Sequence, residues 1–131
     1  MCNEITSNPG MVDKVCVLVL DDDVRILRFI GASLRINGYN VITATCGEEA
    51  LKLAESEKPN IMLLDMLMPV MDGFEVLESL RATSDLPVIA ISAHASNAEK
   101  ALSLGANNFL PKPFMPDELI KRIKDLLNHR G

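Results

Sequence analysis

Cysteine is scarce in this chain: Cys2, Cys16 and Cys46 are the three among 131 residues. An odd number with no C-x-x-C spacing supports neither a disulfide framework nor a zinc site. Cys16, inside an apolar run, reads as a small core residue. Long hydrophobic runs are also missing. The longest falls far short of the ~18 residues that cross a bilayer, which excludes a membrane span. The N-terminus has no apolar segment of the kind that directs secretion, so the cytoplasm is the expected compartment. Clustered lysine and arginine are absent too. Thirteen basic residues stand against 18 acidic ones, a net charge of −5. A domain without a basic patch is not expected to bind nucleic acid by itself.

What is present is enough for one domain with a real core: 48% of the residues are hydrophobic and 24% charged. Residues 1–13 are polar around Asn8-Pro9-Gly10 and read as a loose tail, with the domain proper expected over 14–131. Val15 to Leu20 is a continuous apolar run that ends in Asp21-Asp22-Asp23, and Ile61 to Leu64 is another that ends in Asp65. Such short runs, bounded by turn residues, predict strands buried on both faces. Tyr39 to Ala44, Val88 to Ile91 (ending at Ser92) and Asn108 to Leu110 predict three more.

Helical spacing separates them. It is carried by Val24, Leu27, Ile30 and Leu34 behind an Asp22 or Asp23 cap, and closed by Asn37-Gly38. It recurs from Glu48 to about Glu57, with Ala50, Leu51 and Leu53-Ala54 inward, and at Phe74, Val76-Leu77 and Leu80. It returns at Ala98, Ala101-Leu102 and Leu104 before Gly105, and from Met115 or Pro116 through Leu119, Ile120, Ile123, Leu126 and Leu127. Five strands alternating with five helices imply an α/β fold, a doubly wound parallel sheet. The order 2-1-3-4-5 is the flavodoxin-like one, and it sets the ends of strands one and three side by side.

Asp21, Asp22 and Asp65 then share one crevice. Like charges this close raise one another's pKa unless a cation intervenes. Hard oxygen donors suit Mg²⁺. Lys112, after the fifth strand, adds a positive charge and Ser92 a hydroxyl. A metal, a lysine, a hydroxyl and a carboxylate nucleophile are the parts that phosphoryl transfer to an aspartate needs. Taken singly, each has an ordinary role: a helix cap, a turn acid, a strand-end hydroxyl, a loop lysine. Their joint placement at the carboxyl ends of strands carries the reading.

Val17-Leu18-Val19-Leu20-Asp21-Asp22, Leu64-Asp65-Met66-Leu67-Met68-Pro69 with Met71-Asp72-Gly73, Ala90-Ile91-Ser92-Ala93 and Leu110-Pro111-Lys112-Pro113-Phe114 resemble the receiver domain of two-component response regulators. The resemblance runs from about Lys14 to Asn128. It implies that Asp65 is the phosphoacceptor, serving a histidine kinase or phosphotransfer protein. It further implies that Asp22, Asp65 and the Leu67 carbonyl bind Mg²⁺, with Asp21 helping through water. Lys112 would contact the phosphoryl group and precede a cis proline. Ser92 and Phe109 would form the switch pair, although the family more often has Thr and Tyr there. Leu67 and His94 would flank the path of hydrolytic water and set the lifetime of the phosphate. Such a domain catalyses its own phosphorylation and dephosphorylation without being a turnover enzyme.

Two other functions compete. A haloacid-dehalogenase-like phosphatase also pairs an Asp nucleophile with Mg²⁺, but its D-x-D-x-[T/V] motif fails at Arg25. A phosphorylation-independent binding module would be expected to lack some of the acids. The resemblance places the output face on the fourth helix, fifth strand and fifth helix, where a phosphorylation-dependent homodimer or another partner would dock. Asn107-Asn108 stands where related receivers carry acids used in dimer salt bridges. Ile26, Phe29 and Ile36 are apolar residues beyond one core stripe of the first helix and suggest a kinase-facing surface, the alternative being that Ile26 and Phe29 simply pack inside. With no effector domain after Gly131, a stand-alone receiver or a piece of a longer regulator is expected.

Overall fold

The computed structural model describes residues 14–128. The expected tail and the last residues of the domain lie outside them. The elements run β1 (Cys16–Leu20), α1 (Val24–Ile36), β2 (Asn40–Ala44), α2 (Gly47–Glu57), β3 (Ile61–Asp65), α3 (Gly73–Arg81), β4 (Val88–Ser92), α4 (Asn97–Ser103), β5 (Asn108–Pro111) and α5 (Pro116–Asn128). The strands form one sheet, ordered β2-β1-β3-β4-β5, and every pairing is parallel. The flavodoxin-like order expected from the alternation is the one observed.

The central strands are buried along their whole length because helices cover both faces. Alternate residues of one strand point to opposite sides, so the apolar runs divide between two cores. Val17, Val19, Ile61, Leu63, Ile89 and Ile91 pack with Leu27, Ile30 and Leu34 of α1 and with Leu119, Ile120 and Ile123 of α5. Leu18, Leu20, Met62, Leu64, Val88 and Ala90 pack with Ala50 of α2, Phe74, Val76, Leu77 and Leu80 of α3, and Ala101 of α4. A period-2 pattern would have left one face to solvent; the unbroken runs feed both.

Local chemistry sets the ends. Asp23, not Asp22, caps α1 by accepting the Arg25 N–H at 2.9 Å. Gly38, at φ 91°, turns the chain out of that helix. Asp72 and Glu75 form a reciprocal capping box that starts α3. Lys112-Pro113 is cis.

Several expectations shift. Val15 and Tyr39 lie just outside β1 and β2, and Gly47 already belongs to α2. Leu102 is 47% exposed and does not belong to the core face of α4. Of the three outlying apolar residues on α1, Ile26 packs against the core, whereas Phe29 and Ile36 are 52% and 85% exposed. Cys16 is buried, in line with its reading as a small core residue.

Gly73 marks the tightest joint between frame and site. A Cβ there would lie 2.6 Å from both the Asp65 carbonyl oxygen and the Met66 Cα. These are backbone atoms that cannot rotate away, so the chain itself must move. Gly73→Ala is therefore expected to destabilise the domain by about 2 kcal/mol in urea unfolding; an unchanged midpoint would refute this account of the joint.

Candidate functional site

The site assembles where β1 and β3 run out. Leu20 pairs with Leu64, so the next residues, Asp21 and Asp65, emerge side by side. Both are buried, at 3% and 6% exposure, whereas Asp22 is exposed. Asp23 lies outside the cluster's work: its carboxylate is occupied by the α1 cap and by the Arg25 guanidinium, 3.2 Å away. One carboxylate oxygen from each of Asp21, Asp22 and Asp65 lies within 4.8 Å of the others, a group that can hold a metal ion.

Lys112 comes in from the end of β5. Its Nζ lies 3.4 Å from Asp21 Oδ2 and 3.7 Å from Asp65 Oδ1. The Lys112 N–H donates to the Ser92 carbonyl at 2.9 Å, which fixes the lysine's backbone to the end of β4. Asp21 is held further by the Asp23 N–H at 2.8 Å, and the Leu67 N–H reaches Asp65 Oδ1 at 3.4 Å.

One ammonium cannot balance three carboxylates, and the acids show it. Burial, followed by the charge of Asp21, pushes the Asp65 carboxyl up to about 6, against the opposing pull of Lys112 and the Leu67 N–H. Asp21 is raised as well, mainly by burial, with the Asp23 N–H and Lys112 opposing. A buried set of hard oxygen donors short of positive charge is what a small divalent cation fits.

Ser92 ends β4 and is 1% exposed. Its Oγ accepts the His94 N–H at 3.0 Å and the Asn97 side-chain amide at 2.9 Å. Phe109 is half-buried and packs on the core beneath α2, α3 and α4. Leu67 and His94 both expose their side chains while their N–H groups bind Asp65 and Ser92. The structure thus brings Asp21, Asp22, Asp65 and Lys112 into direct company, with Ser92 at the end of β4 and Leu67 and His94 on the surrounding loops.

Three placements escaped sequence reasoning. Asn97 on the Ser92 hydroxyl is one, since a lone Asn at a helix start reads only as a possible cap. Asn107, expected at an association surface, accepts the Val88 N–H and the Arg81 guanidinium. Asn108 accepts from Arg122, which also reaches the Phe109 carbonyl and Glu118.

Comparison with known proteins agrees with this geometry. The response regulator receiver domain model matches residues 17–124, and the chain belongs to that family. It is therefore a receiver domain of two-component response regulators. Among curated relatives, it is 42% identical over 118 residues to a probable transcriptional regulator, ycf27, of Cyanophora paradoxa, covering 88% of this chain and 49% of that protein. It is 43% identical over 118 residues to the transcriptional regulatory protein PrrA of Mycobacterium tuberculosis, covering 88% and 51%. The chain thus spans about half the length of the curated relatives it matches. Among solved structures, the Francisella response regulator 1452 receiver domain superposes with a TM-score of 0.84 at 36% identity, covering 90% of this chain and all of that one. Among the described residues, no helix is long and apolar enough to cross a membrane.

The raised Asp65 carboxyl has a consequence for stability. An acid whose pKa rises on folding favours the folded state when protonated. Its contribution is greatest below about pH 4, the unfolded range, and is lost as pH rises through about 6. Asp65→Asn cannot ionise and escapes that loss. In chelator, the variant should match the wild type near pH 4 and exceed it by on the order of 2 kcal/mol above pH 7. Urea unfolding across that range measures the difference; a gap that does not vary with pH would reject this view of Asp65.

Proposed function

We propose that this domain accepts a phosphoryl group on Asp65 from the phosphohistidine of a histidine kinase or phosphotransfer protein. The observation that supports it best is the burial of Asp65 beside two further carboxylates and within 3.7 Å of the Lys112 ammonium. An Asp65 oxygen attacks phosphorus, the P–N bond to the donor imidazole breaks, and the imidazole leaves. Lys112 shifts its ion pair from the Asp65 carboxylate to the incoming phosphoryl oxygens, so the charge it neutralises stays in place during transfer. Asp22, Asp65 and the Leu67 carbonyl would hold Mg²⁺, with Asp21 helping through water, and the ion would supply the remaining positive charge that the phosphoryl oxygens need.

The acyl phosphate adds three acceptor oxygens and about −1.5 to −2 charge. The Ser92 hydroxyl turns to donate to one of these oxygens, and Phe109 moves into the volume Ser92 leaves. The face formed by α4, β5 and α5 then repacks, which is a population shift between two arrangements. A second copy or an output partner docks on that face. Leu67 and His94, with exposed side chains next to the acceptor loop, set how easily water reaches the acyl phosphate. The phosphatase alternative gains nothing from the geometry, because Asp23 is bound into the α1 cap.

Two experiments test this reading. With acetyl phosphate and Mg²⁺, the wild type should gain the mass of one phosphoryl group, and Asp65→Asn, which keeps the shape but removes the nucleophile, should gain none. Equal labelling of both would reject the acceptor. Phe29 and Ile36 leave an apolar strip of α1 open to solvent, suited to a kinase helix. Phe29→Ser should leave folding intact and slow transfer from the cognate kinase roughly fivefold or more; an unchanged rate would place the docking surface elsewhere.

A further inference from the structure

Ser92 has more partners than its proposed task needs. A serine hydroxyl offers one hydrogen and two lone pairs. Here the oxygen accepts from two donors, the His94 N–H and the Asn97 carboxamide. The two donors differ in kind. The His94 N–H sits two residues along the same turn and moves with the serine, as in any local Ser turn. The Asn97 amide is the first residue of α4, five residues on, and reaches back across an exposed loop from 93 to 96. Its bond ties the rotamer of Ser92 to the position of α4.

To donate to a phosphoryl oxygen, the Ser92 side chain must move to another staggered rotamer, which carries Oγ away from its present donors. The Asn97 bond is lost in that step. We propose that Asn97 is a positioning residue, a latch that holds the Ser92 hydroxyl on the start of α4 until an acyl phosphate on Asp65 competes for it. This rests on the reading of Asp65 as acceptor. It adds a chain-specific element that sets the resting balance between the two arrangements. Because the latch residue begins α4, releasing the hydroxyl also loosens that end of the helix from β4, and the change at the output face starts there. Nothing else about the site requires an amide at position 97: its side chain touches neither the carboxylates nor Lys112 among the hydrogen bonds and ion pairs described above.

Beryllofluoride with Mg²⁺ serves as the probe, because it stands in for the phosphoryl group without turnover. Asn97→Ala deletes one hydrogen bond of the resting state only, so it should tighten beryllofluoride binding roughly three- to tenfold. In the absence of beryllofluoride, the amide NMR signals of Phe109 and of α4 should also move toward their bound positions. In a Ser92→Ala background, the same substitution should change neither quantity, since the latch has nothing to hold. Unchanged affinity in the wild-type background, or an equal change in both backgrounds, overturns the proposal; the second result would mean that Asn97 merely stabilises the start of α4. Labelling by acetyl phosphate separates the two levels. Loss of labelling in the wild type would overturn the acceptor and the latch together, whereas normal labelling with a neutral Asn97→Ala would remove the latch alone.

Discussion

The structure depends on an electrostatic debt at the carboxyl ends of β1 and β3. Three carboxylates converge there, two of them buried, and Lys112 reaches both buried ones. Placing anions out of water is costly unless they are paired, and the raised Asp65 and Asp21 carboxyls show that the pairing is incomplete. A fold selected for stability alone would replace one of these acids with an apolar residue. With all three kept, the same shortage that destabilises the resting domain favours binding of a cation. It also keeps Lys112 between two anions.

Holding such a cluster together requires a stiff frame. The five-residue strands β1 and β3 are buried throughout and sandwiched between two separate cores, so neither end can relax away from the other. Gly73 packs directly on the Asp65 carbonyl and Met66, and its helix is pinned by the Asp72–Glu75 box. By contrast, the loops that carry Leu67 and His94 lie on the surface. The acids thus sit on a packed frame, whereas the residues around them sit on exposed loops.

Much of this was legible in the sequence, and the physics says which parts. Unbroken apolar runs of four to six residues between turn residues can bury only as central strands, so β1, β3 and β4, and with them Asp21, Asp65 and Ser92, were readable to within a residue. The sheet order followed from alternation. The cap of α1 was ambiguous because Asp22 and Asp23 differ by one position; the helical phase decides which carboxylate meets the Arg25 N–H, and pattern alone does not resolve one residue of phase. The same limit applied to the outlying apolar residues of α1, where Ile26 turned inward and Phe29 and Ile36 outward. Asn97, Asn107 and Asn108 were the hardest. An asparagine's role rests on which distant group it meets, and no periodicity encodes that. Asn107 and Asn108, expected on an association surface, are occupied within the domain by Val88, Arg81 and Arg122.

These asparagine bonds bear on how a change at Asp65 reaches the surface. Arg81 at the end of α3 holds the Gly105 carbonyl and Asn107, while Arg122 of α5 holds Asn108 and the Phe109 carbonyl. The end of α4 and the start of β5 are thereby tied to the C-terminal end of α3 and to α5. At the other end, α4 is tied to β4 through Ser92 and Asn97. The helix is thus fixed at its far end by charged hydrogen bonds and at its near end by a neutral amide–hydroxyl bond, the weaker kind. If the Ser92 contact yields, α4 pivots about its C-terminal end rather than translating, and the residues displaced most are those nearest the acids. Under the proposed switch, a local change of charge would become a rotation of one short helix against a fixed strand. Such a rotation would be a two-position device of the sort that turns a covalent event into a change of surface.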